Sequence, residues 1–434
     1  MVGVKHEEDC GNEYVMVIKH EDASMGEPLL PKHAYNDDVS KTNFQGASMA
    51  RTCLNLANAM SGVGVLSMPY ALSQGGWLSM AVFFMVAGIC CYTGILIQHC
   101  MESSQRIKTY PDIGQHAFGN KGRITIACFL YLELYLVAVS FLILEGDNLN
   151  KLFPDLISLT ILGFTIQGKQ MFVILAGLVV LPTTWLRNLG VLAYISVGGV
   201  LASMVLLGCL LWSGLTDVGF HESGRLFNLS AMPTVLGLFF VCFTGHAVFP
   251  TLHTSMRDGS QFSKVLLISF TLCTMIYGPM AIFGYLMFGD NLESQVTLNF
   301  PSGKIYTKIA IYTTIVNPLT KYALTTTPIA TAIEESLGWN TNRSTSIFIR
   351  SLLLISIMLI ALTVPFFGYL MAFIGSFLSV TVSVIIPCIC YIKIYQNFRK
   401  NWLHKSIIIG IILFGFIVAL VGTYTSMVDI INSL

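Results

Sequence analysis

Long runs of apolar residues, separated by short polar segments, follow one another along the chain after residue 45. An α-helix needs roughly 20 apolar residues to cross the hydrocarbon core of a bilayer. On this basis the pattern predicts eleven helices, numbered here as spans 1 to 11, near 47–72, 76–100, 123–148, 171–187, 189–214, 232–253, 262–288, 305–335, 346–364, 367–392 and 405–428. The sequence therefore predicts an all-α polytopic membrane protein.

Spans 1 and 6 are interrupted in the same way. Gly64 is followed five residues later by Pro69, and Gly245 is followed five residues later by Pro250. A broken helix frees backbone N–H and C=O groups that lipid cannot satisfy, so it survives only when buried in protein or lining a polar cavity. Matched breaks in two halves of one chain indicate a binding site where two repeats meet, as in secondary transporters.

Composition and charge agree with this class and add an orientation. The chain has 434 residues, of which 54% are hydrophobic and 11% charged. With the N-terminus in the cytosol, eleven spans place most basic residues on the cytosolic side and the C-terminus in the lumen, as the positive-inside rule requires. The basic residues on the other side are Lys151, Lys169, Arg225, Lys304 and Lys308. The net charge of +1 gives no reason to expect a nucleic-acid partner.

The first 45 residues differ from the rest of the chain. They carry nine acidic residues against four lysines and few residues that form a core. Such a composition is typical of disordered segments. We therefore predict an acidic, disordered cytosolic tail over 1–45 and a single transmembrane domain over 46–434.

The break in span 1 offers groups that suit a zwitterion. Polar residues Asn58 and Ser61 lead into Gly62, Val63 and Gly64, after which a new half-helix begins. Its first N–H groups and positive dipole end suit a carboxylate, while the unpaired carbonyls that end the preceding half-helix suit an ammonium group. Glycines for tight packing and a proline kink are the alternative explanation. The break in span 6 supplies a second set of groups through Phe243, Thr244 and Gly245.

Several motifs resemble one known family. The segments are 58–71 around the first break, Tyr110 to Gly114 in a predicted loop, Glu145 to Leu149, and 243–251 around the second break. Together they are similar to the amino acid/auxin permease family, and within it to the plant vacuolar amino-acid transporters of the AVT type. The resemblance covers all eleven spans and leaves out the tail.

The resemblance implies a LeuT-like fold with two inverted five-helix repeats and an eleventh helix. It also implies proton-linked transport of neutral amino acids across the vacuolar membrane, with the plasma membrane as the alternative location. The amino acid, protons and the lipid bilayer are then the partners. In sodium-coupled relatives, span 8 supplies part of an ion site against span 1.

Three ionisable residues at membrane depth are candidates for proton coupling, because charges there are costly and usually functional. Lys321 lies near the middle of span 8, where its ammonium group would replace the cation of sodium-coupled relatives. Glu133 lies in span 3 and His246 lies in the break of span 6. For Lys321 the alternatives are a structural ion pair or a side chain that snorkels to the interface. For Glu133 they are substrate contact or a buried structural hydrogen bond, and for His246 a pocket histidine with its hydrogen bonds satisfied.

The sequence thus predicts a secondary active transporter, by symport or antiport, and not an enzyme. A channel or an amino-acid-sensing receptor on the same scaffold is the alternative. The spacing of cysteines and histidines matches no metal site, and we expect no cofactor.

Two glycosylation sequons provide a check on the topology. They begin at Asn228 and Asn342, and eleven spans put them on opposite sides of the membrane. We therefore predict that only Asn228 can be modified.

Overall fold

The structure is a computed structural model, and it describes residues 46–154, 159–161, 164–166, 168–185, 198–221, 224–338, 342–395 and 402–433. The predicted tail (1–45), the first part of predicted span 5 and Arg187 lie outside the described residues. The described chain is helical except for one short hairpin, which agrees with the predicted all-α class.

The helices follow the predicted spans closely. Three spans contain two helices each: span 1 has α1 (Met49–Met60) and α2 (Met68–Gly75), span 6 has α7 (Met232–Cys242) and α8 (Phe249–Ser255), and span 10 has α12 (Phe367–Phe373) and α13 (Ile386–Ile394). The other spans contain one helix each, in order α3 (Ser79–Glu102), α4 (Tyr110–Leu152), α5 (Gly168–Thr184), α6 (Gly199–Ser213), α9 (Phe262–Phe288), α10 (Ile305–Ser336), α11 (Arg343–Thr363) and α14 (Trp402–Ser433). Strands β1 (Leu159–Ile161) and β2 (Phe164–Ile166) form an antiparallel hairpin between spans 3 and 4.

Eight helices among the described residues are long and apolar enough to cross a membrane. The remaining spans miss that criterion for visible reasons. Span 1 is divided by its break, span 4 is a 17-residue helix, and span 8 carries many polar residues along its 32 residues. The two divided spans, 1 and 6, are the ones that the glycine and proline pattern singled out.

One part of the sequence prediction was wrong. The segment from Tyr110 to Gly114 was expected in a loop, but it forms the first turn of α4. Thr109 and Asp112 form a capping box there, in which each side chain binds the other residue's backbone N–H. Gly119, with φ 68°, interrupts the helix before it enters the membrane. The local capping signal therefore outweighed the polar composition that suggested a loop.

Span 10 contains two π-helical segments, Ile374–Ser379 and Thr381–Ile385, between α12 and α13. Widened turns of this kind occur frequently at functional sites. Span 10 also lies against span 6 without intervening side chains, because Gly375 and Gly237 are in contact through their backbones. This close approach brings the π-helical segments next to the break of span 6.

Candidate functional site

The break of span 1 begins where α1 ends at Met60. Ser61 and Gly62 have non-helical backbones, and a 3₁₀ turn, Val63–Ser67, then leads into α2. The first N–H groups of such a turn have no partner within it. The space beside Gly62 is open, since an added Cβ atom would meet only the Met60 carbonyl oxygen at 3.8 Å. Backbone N–H groups at the start of the turn therefore border open space here.

The carbonyl end of α1 is occupied by side chains of other spans. The Nζ atom of Lys321 donates hydrogen bonds to the carbonyl oxygens of Asn58 at 3.0 Å and Ser61 at 2.9 Å. The hydroxyl of Tyr277 donates to the carbonyl oxygen of Met60 at 3.0 Å. From the sequence, we expected these carbonyl oxygens to bind the ammonium group of a substrate. In this conformation a protein ammonium group binds them instead.

Lys321 binds the break of span 1 without a carboxylate. Among the described residues no acidic side chain forms an ion pair or hydrogen bond with it. Its charge therefore rests on carbonyl oxygens and on the negative dipole end of α1. Gly199 of span 5 lies directly beside it: its N–H donates to Oδ1 of Asn58 at 3.0 Å, and an added Cβ atom would be 3.0 Å from Nζ.

The break of span 6 lies between α7 and α8 and contacts the break of span 1. A Cβ atom added at Gly64 would lie 2.6 Å from the sulfur of Cys242, and one added at Gly245 would lie 3.1 Å from Cγ of Met60. The hydroxyl of Thr244 is 2.7 Å from that of Ser383 in the second π-helical segment. The two interrupted helices therefore form one site, with span 10 as its third wall.

Glu133 contacts this site from span 3. It is 5% exposed, and its Oε1 atom accepts a hydrogen bond from the hydroxyl of Ser379 at 2.7 Å. Its carboxyl group also interacts with the hydroxyl of Thr244. Glu133 thus belongs to the side of the site formed by spans 3, 6 and 10, whereas Lys321 belongs to the side formed by spans 1, 5 and 8.

His246 is fully buried and faces span 2. Its Nε2 atom is 3.0 Å from the carbonyl oxygen of Cys90 and 2.9 Å from the hydroxyl of Thr93. Its ring centroid is 4.6 Å from that of Phe249. The structure therefore brings Glu133 to the breaks on one side and Lys321 on the other, while His246 is enclosed behind the break of span 6.

Both ends of the site are covered. At the end where α1 begins, the N–H of Ala47 donates to Ser255 and the N–H of Arg257 donates to Ala47, at 2.8 and 3.1 Å. At the other end, the fully buried side chain of Gln295 joins the loop before span 8 to span 3. It donates to Asp147 and accepts from Asn148, both at 2.7 Å. These links join span 1 to span 6 at one end and span 3 to the loop before span 8 at the other.

The sequence analysis missed four participants: Tyr277, Gly199, Ser379 and Ser383. Nothing local distinguishes a tyrosine or a glycine in a membrane helix as a partner of a distant break. The two serines were more visible, since with Ser376 they recur at intervals of three and four residues and so share one helix face.

An interrupted first and sixth span, in contact and enclosed by spans 3, 8 and 10, define a membrane transporter with inverted repeats. Solved transporter structures share the fold. The crystal structure of MhsT in complex with L-phenylalanine has a TM-score of 0.51 at 13% identity, covering 89% of this chain and 98% of MhsT. The inward-facing conformation of Mhp1 has a TM-score of 0.55 at 12% identity, covering 91% and 94%.

The sequence matches the family described as "Transmembrane amino acid transporter protein" over residues 45–428. Among its relatives from Arabidopsis thaliana is amino acid transporter AVT1I, 46% identical over 92% of this chain and 99% of the relative. Amino acid transporter AVT1B is 46% identical over 89% of this chain and 72% of that protein. The chain belongs to this amino acid transporter family. The predicted family, the LeuT-like fold and the assignment as a transporter and not an enzyme are confirmed.

Proposed function

We propose that the chain is a proton-coupled secondary transporter of mainly neutral amino acids in the vacuolar membrane. The N-terminus is cytosolic and the C-terminus lumenal. The observation that carries the proposal is the ammonium group of Lys321 on the carbonyl oxygens that end α1. The family supports an amino-acid substrate, the excess of basic residues supports the orientation, and the resemblance to the AVT type supports the vacuolar location.

The substrate is held between the two breaks. Its carboxylate binds the N–H groups at the start of the 3₁₀ turn Val63–Ser67, beside the open space at Gly62. Because Lys321 and Tyr277 take the carbonyls of α1, the substrate ammonium binds the carbonyls of the span 6 break at Phe243 and Thr244. The carboxyl group of Glu133, next to Thr244, adds a further hydrogen-bonding group on this side.

A preference for neutral side chains follows from the residues around the breaks. Met60, Cys242, Phe243 and Phe249 surround the contact between them, and all four are buried and uncharged. A charged substrate side chain placed among such residues loses its hydration without gaining a partner. Apolar and small polar side chains avoid this cost.

Coupling follows from the protonation of Lys321. While protonated, it donates to two carbonyls of α1 and fixes that half-helix against span 8. When it loses a proton it also loses most of its attraction to the dipole end, because that attraction depends on the charge. The helix α1 is then free to move away from α8 of span 6. In this structure the two are joined by the hydrogen bond from the N–H of Ala47 to the carbonyl oxygen of Ser255. One proton thus controls access from the cytosolic end.

The test compares two substitutions at one position in proteoliposomes of the full chain. Lys321→Ala removes both charge and titration, whereas Lys321→Arg keeps a charge that proteins do not deprotonate. We expect gradient-driven uptake to be lost in both. Binding of the amino acid and the melting temperature should be retained by Lys321→Arg, and exchange of internal for external amino acid without a gradient should persist.

Two outcomes would contradict the proposal. Normal pH-dependent uptake by Lys321→Ala would remove the coupling role of this lysine. Unsaturable uptake by the unaltered protein, with no exchange of labelled for unlabelled amino acid, would indicate a channel. The melting temperature of each variant separates both outcomes from misfolding.

A further inference from the structure

A cleft with both polar and apolar walls lies on the opposite side of the span 1 break from Glu133. Its cavity volume is about 20 Å³, and it lies between spans 1, 5 and 8, partly open to the surroundings. Its lining includes Gly62 of span 1, Ser203 of span 5, and Thr313, Thr314 and Asn317 of span 8. We infer that this cleft is a water-filled proton pathway that connects Lys321 with the membrane side on which span 8 begins. The inference rests on the proposed coupling role of Lys321.

The position of Asn317 supports this assignment. It lies four residues before Lys321 in α10, so the two side chains share one face of the helix, and it is the lining residue nearest Lys321 along that helix. Its Oδ1 atom is inaccessible and has no hydrogen-bond partner among the described residues. A buried amide oxygen without a partner is costly unless water or a ligand satisfies it. Asn317 therefore places an unsatisfied acceptor in the wall of the cleft, one helical turn from the lysine.

The wall formed by span 5 leads to the same point. The hydroxyl of Ser203 donates to the carbonyl oxygen of Gly199 at 3.1 Å, and Gly199 lies directly beside the ammonium group of Lys321. Polar groups thus lie on both walls, and Gly199 lies between the span 5 wall and Nζ. The cavity volume of about 20 Å³ exceeds the roughly 10–15 Å³ that one water requires.

The cleft shares Gly62 and the turn that follows it with the proposed carboxylate site, but its other walls differ from those of the substrate site. Thr244 and Glu133, which face the substrate side, form hydrogen bonds with span 10. No residue of spans 3, 6 or 10 lines the cleft. Proton and amino acid therefore reach the break of span 1 from different sides. The residues that border both routes are Gly62, Val63 and the turn that follows them.

Most other titratable groups on the spans around Lys321 are engaged elsewhere. The pairs are Glu133 with Ser379, Tyr135 with Ser356, Tyr277 with Met60, Lys169 with Asp147, Arg350 with Glu334, and Asp217 with Lys304. Glu145 of span 3 and Tyr322 of span 8 have no hydrogen-bond partner among the described residues, but neither lines the cleft. Spans 1 and 5 contribute the thiols of Cys53 and Cys209, which are buried. We assign Lys321 as the group that exchanges a proton with the cleft, because it lies one helical turn from the lining residue Asn317. In that step one N–H bond of the ammonium breaks and the proton passes to water, and the reverse step restores it.

Accessibility provides the first test. Asn317→Cys is compared with Val316→Cys, whose position is 53% exposed on the outer surface of the same helix at the same depth. The probe is a small, charged, membrane-impermeant methanethiosulfonate, applied to proteoliposomes of known orientation. We expect it to modify Asn317→Cys from the lumenal side and to leave Val316→Cys and the unaltered chain unmodified. Equal modification of the two variants, or of neither, would overturn the inference.

Transport provides the second test. Asn317→Leu keeps the approximate volume and removes the amide, and Val316→Leu is the matched control. We expect Asn317→Leu to slow proton-driven uptake by roughly tenfold or more, as when a proton-transfer group is removed. Amino-acid binding and exchange without a gradient should stay within about twofold of the unaltered protein, because backbone groups on the other side of the break hold the substrate.

The outcomes separate this inference from the proposed function. A defect in Lys321→Ala with normal uptake by Asn317→Leu would overturn the pathway and leave the coupling lysine in place. Normal uptake by both variants would overturn both. A defect in Asn317→Leu alone would show that the cleft serves a proton acceptor other than Lys321, which contradicts the pathway as stated.

Discussion

The two interrupted spans have the same glycine and proline spacing but different partners. The carbonyl end of the span 1 break is bound by a charged group, the ammonium of Lys321, and by Tyr277. At the break of span 6, the hydroxyl of Thr244 meets the hydroxyl of Ser383, and His246 is enclosed against span 2. One break is held by a cation, and the other by hydrogen bonds to hydroxyl, carbonyl and carboxyl groups.

Under the proposed coupling through Lys321, this difference assigns different tasks to the two halves. A cation on a helix end can be removed by deprotonation, so the first half of span 1 is the part proposed to respond to proton concentration. The hydroxyl contact between Thr244 and Ser383 does not titrate near neutral pH, so the break of span 6 is proposed to keep its shape while span 1 changes. The inverted repeats thus supply similar backbones, and the side chains from neighbouring spans make one half responsive and the other fixed.

The largest effect is expected from a substitution that overpacks the contact between the two breaks. Gly64→Val should abolish uptake, because even its Cβ atom would lie 2.6 Å from the sulfur of Cys242. Overpacking of this kind costs about 1–3 kcal/mol of stability. Uptake and melting temperature measure the effect. Since the clash is with a side chain, Gly64→Ala should be impaired and Gly64→Ala with Cys242→Ala should recover activity.

Gly62→Val is the control for Gly64→Val, because the structure predicts different effects of the two substitutions on stability. The sequence alone predicts equal loss of transport for both. Beside Gly62, however, an added Cβ atom meets only the Met60 carbonyl oxygen at 3.8 Å, and the backbone φ of −89° suits any residue. Gly62→Val should therefore keep the melting temperature of the unaltered protein and lose activity through weaker substrate binding. A melting temperature as low as that of Gly64→Val would contradict this.

An intermediate effect is expected at Glu133, on the side of the fixed break. Glu133→Gln keeps an oxygen that can accept from Ser379 but removes the charge beside Thr244. A hydrogen bond to a charged group contributes about 1.5–3 kcal/mol, so amino-acid binding should weaken by roughly tenfold or more. The dependence of uptake on the pH gradient should remain. Its loss with intact binding would move the coupling role from Lys321 to Glu133.

A small effect on transport is expected at His246. His246→Gln retains an amide donor for the carbonyl oxygen of Cys90, so uptake should keep its pH profile. Imperfect replacement of a buried hydrogen bond lowers stability by about 1–3 kcal/mol. Thermal unfolding and uptake measured across pH 5 to 8, the range in which histidine charge usually changes, check both statements. A flattened pH profile would make His246 part of the proton route.

No effect on activity is expected at the two sequons, which test the arrangement of the halves. Spans 6, 7 and 8 lie between Asn228 and Asn342, so the two asparagines are on opposite sides. Asn342 also accepts a hydrogen bond from the N–H of Ser344 at the start of α11. Removal of each sequon followed by a gel-mobility assay should show a shift only for Asn228. Modification at Asn342 would reverse the orientation or change the number of spans.

The sequence by itself determined the spans and the positions of both breaks. Both depend on local sequence. A run of about 20 apolar residues is long enough to cross the bilayer, and glycine with proline interrupts a helix where the freed backbone groups of that helix can be satisfied. The capping box of Thr109 and Asp112 is also a local feature of the sequence. It explains why α4 begins at Tyr110, in a segment that was expected to be a loop.

Only the tertiary structure decided what satisfies the breaks. Lys321 reaches the carbonyl of Asn58 across 263 residues of sequence, and Ser379 reaches Glu133 across 246. The sequence showed that these groups lie at membrane depth, but not which helix face would meet which. That choice depends on the close approaches at Gly199 and Gly375, where the absence of a side chain lets one backbone lie against its neighbour.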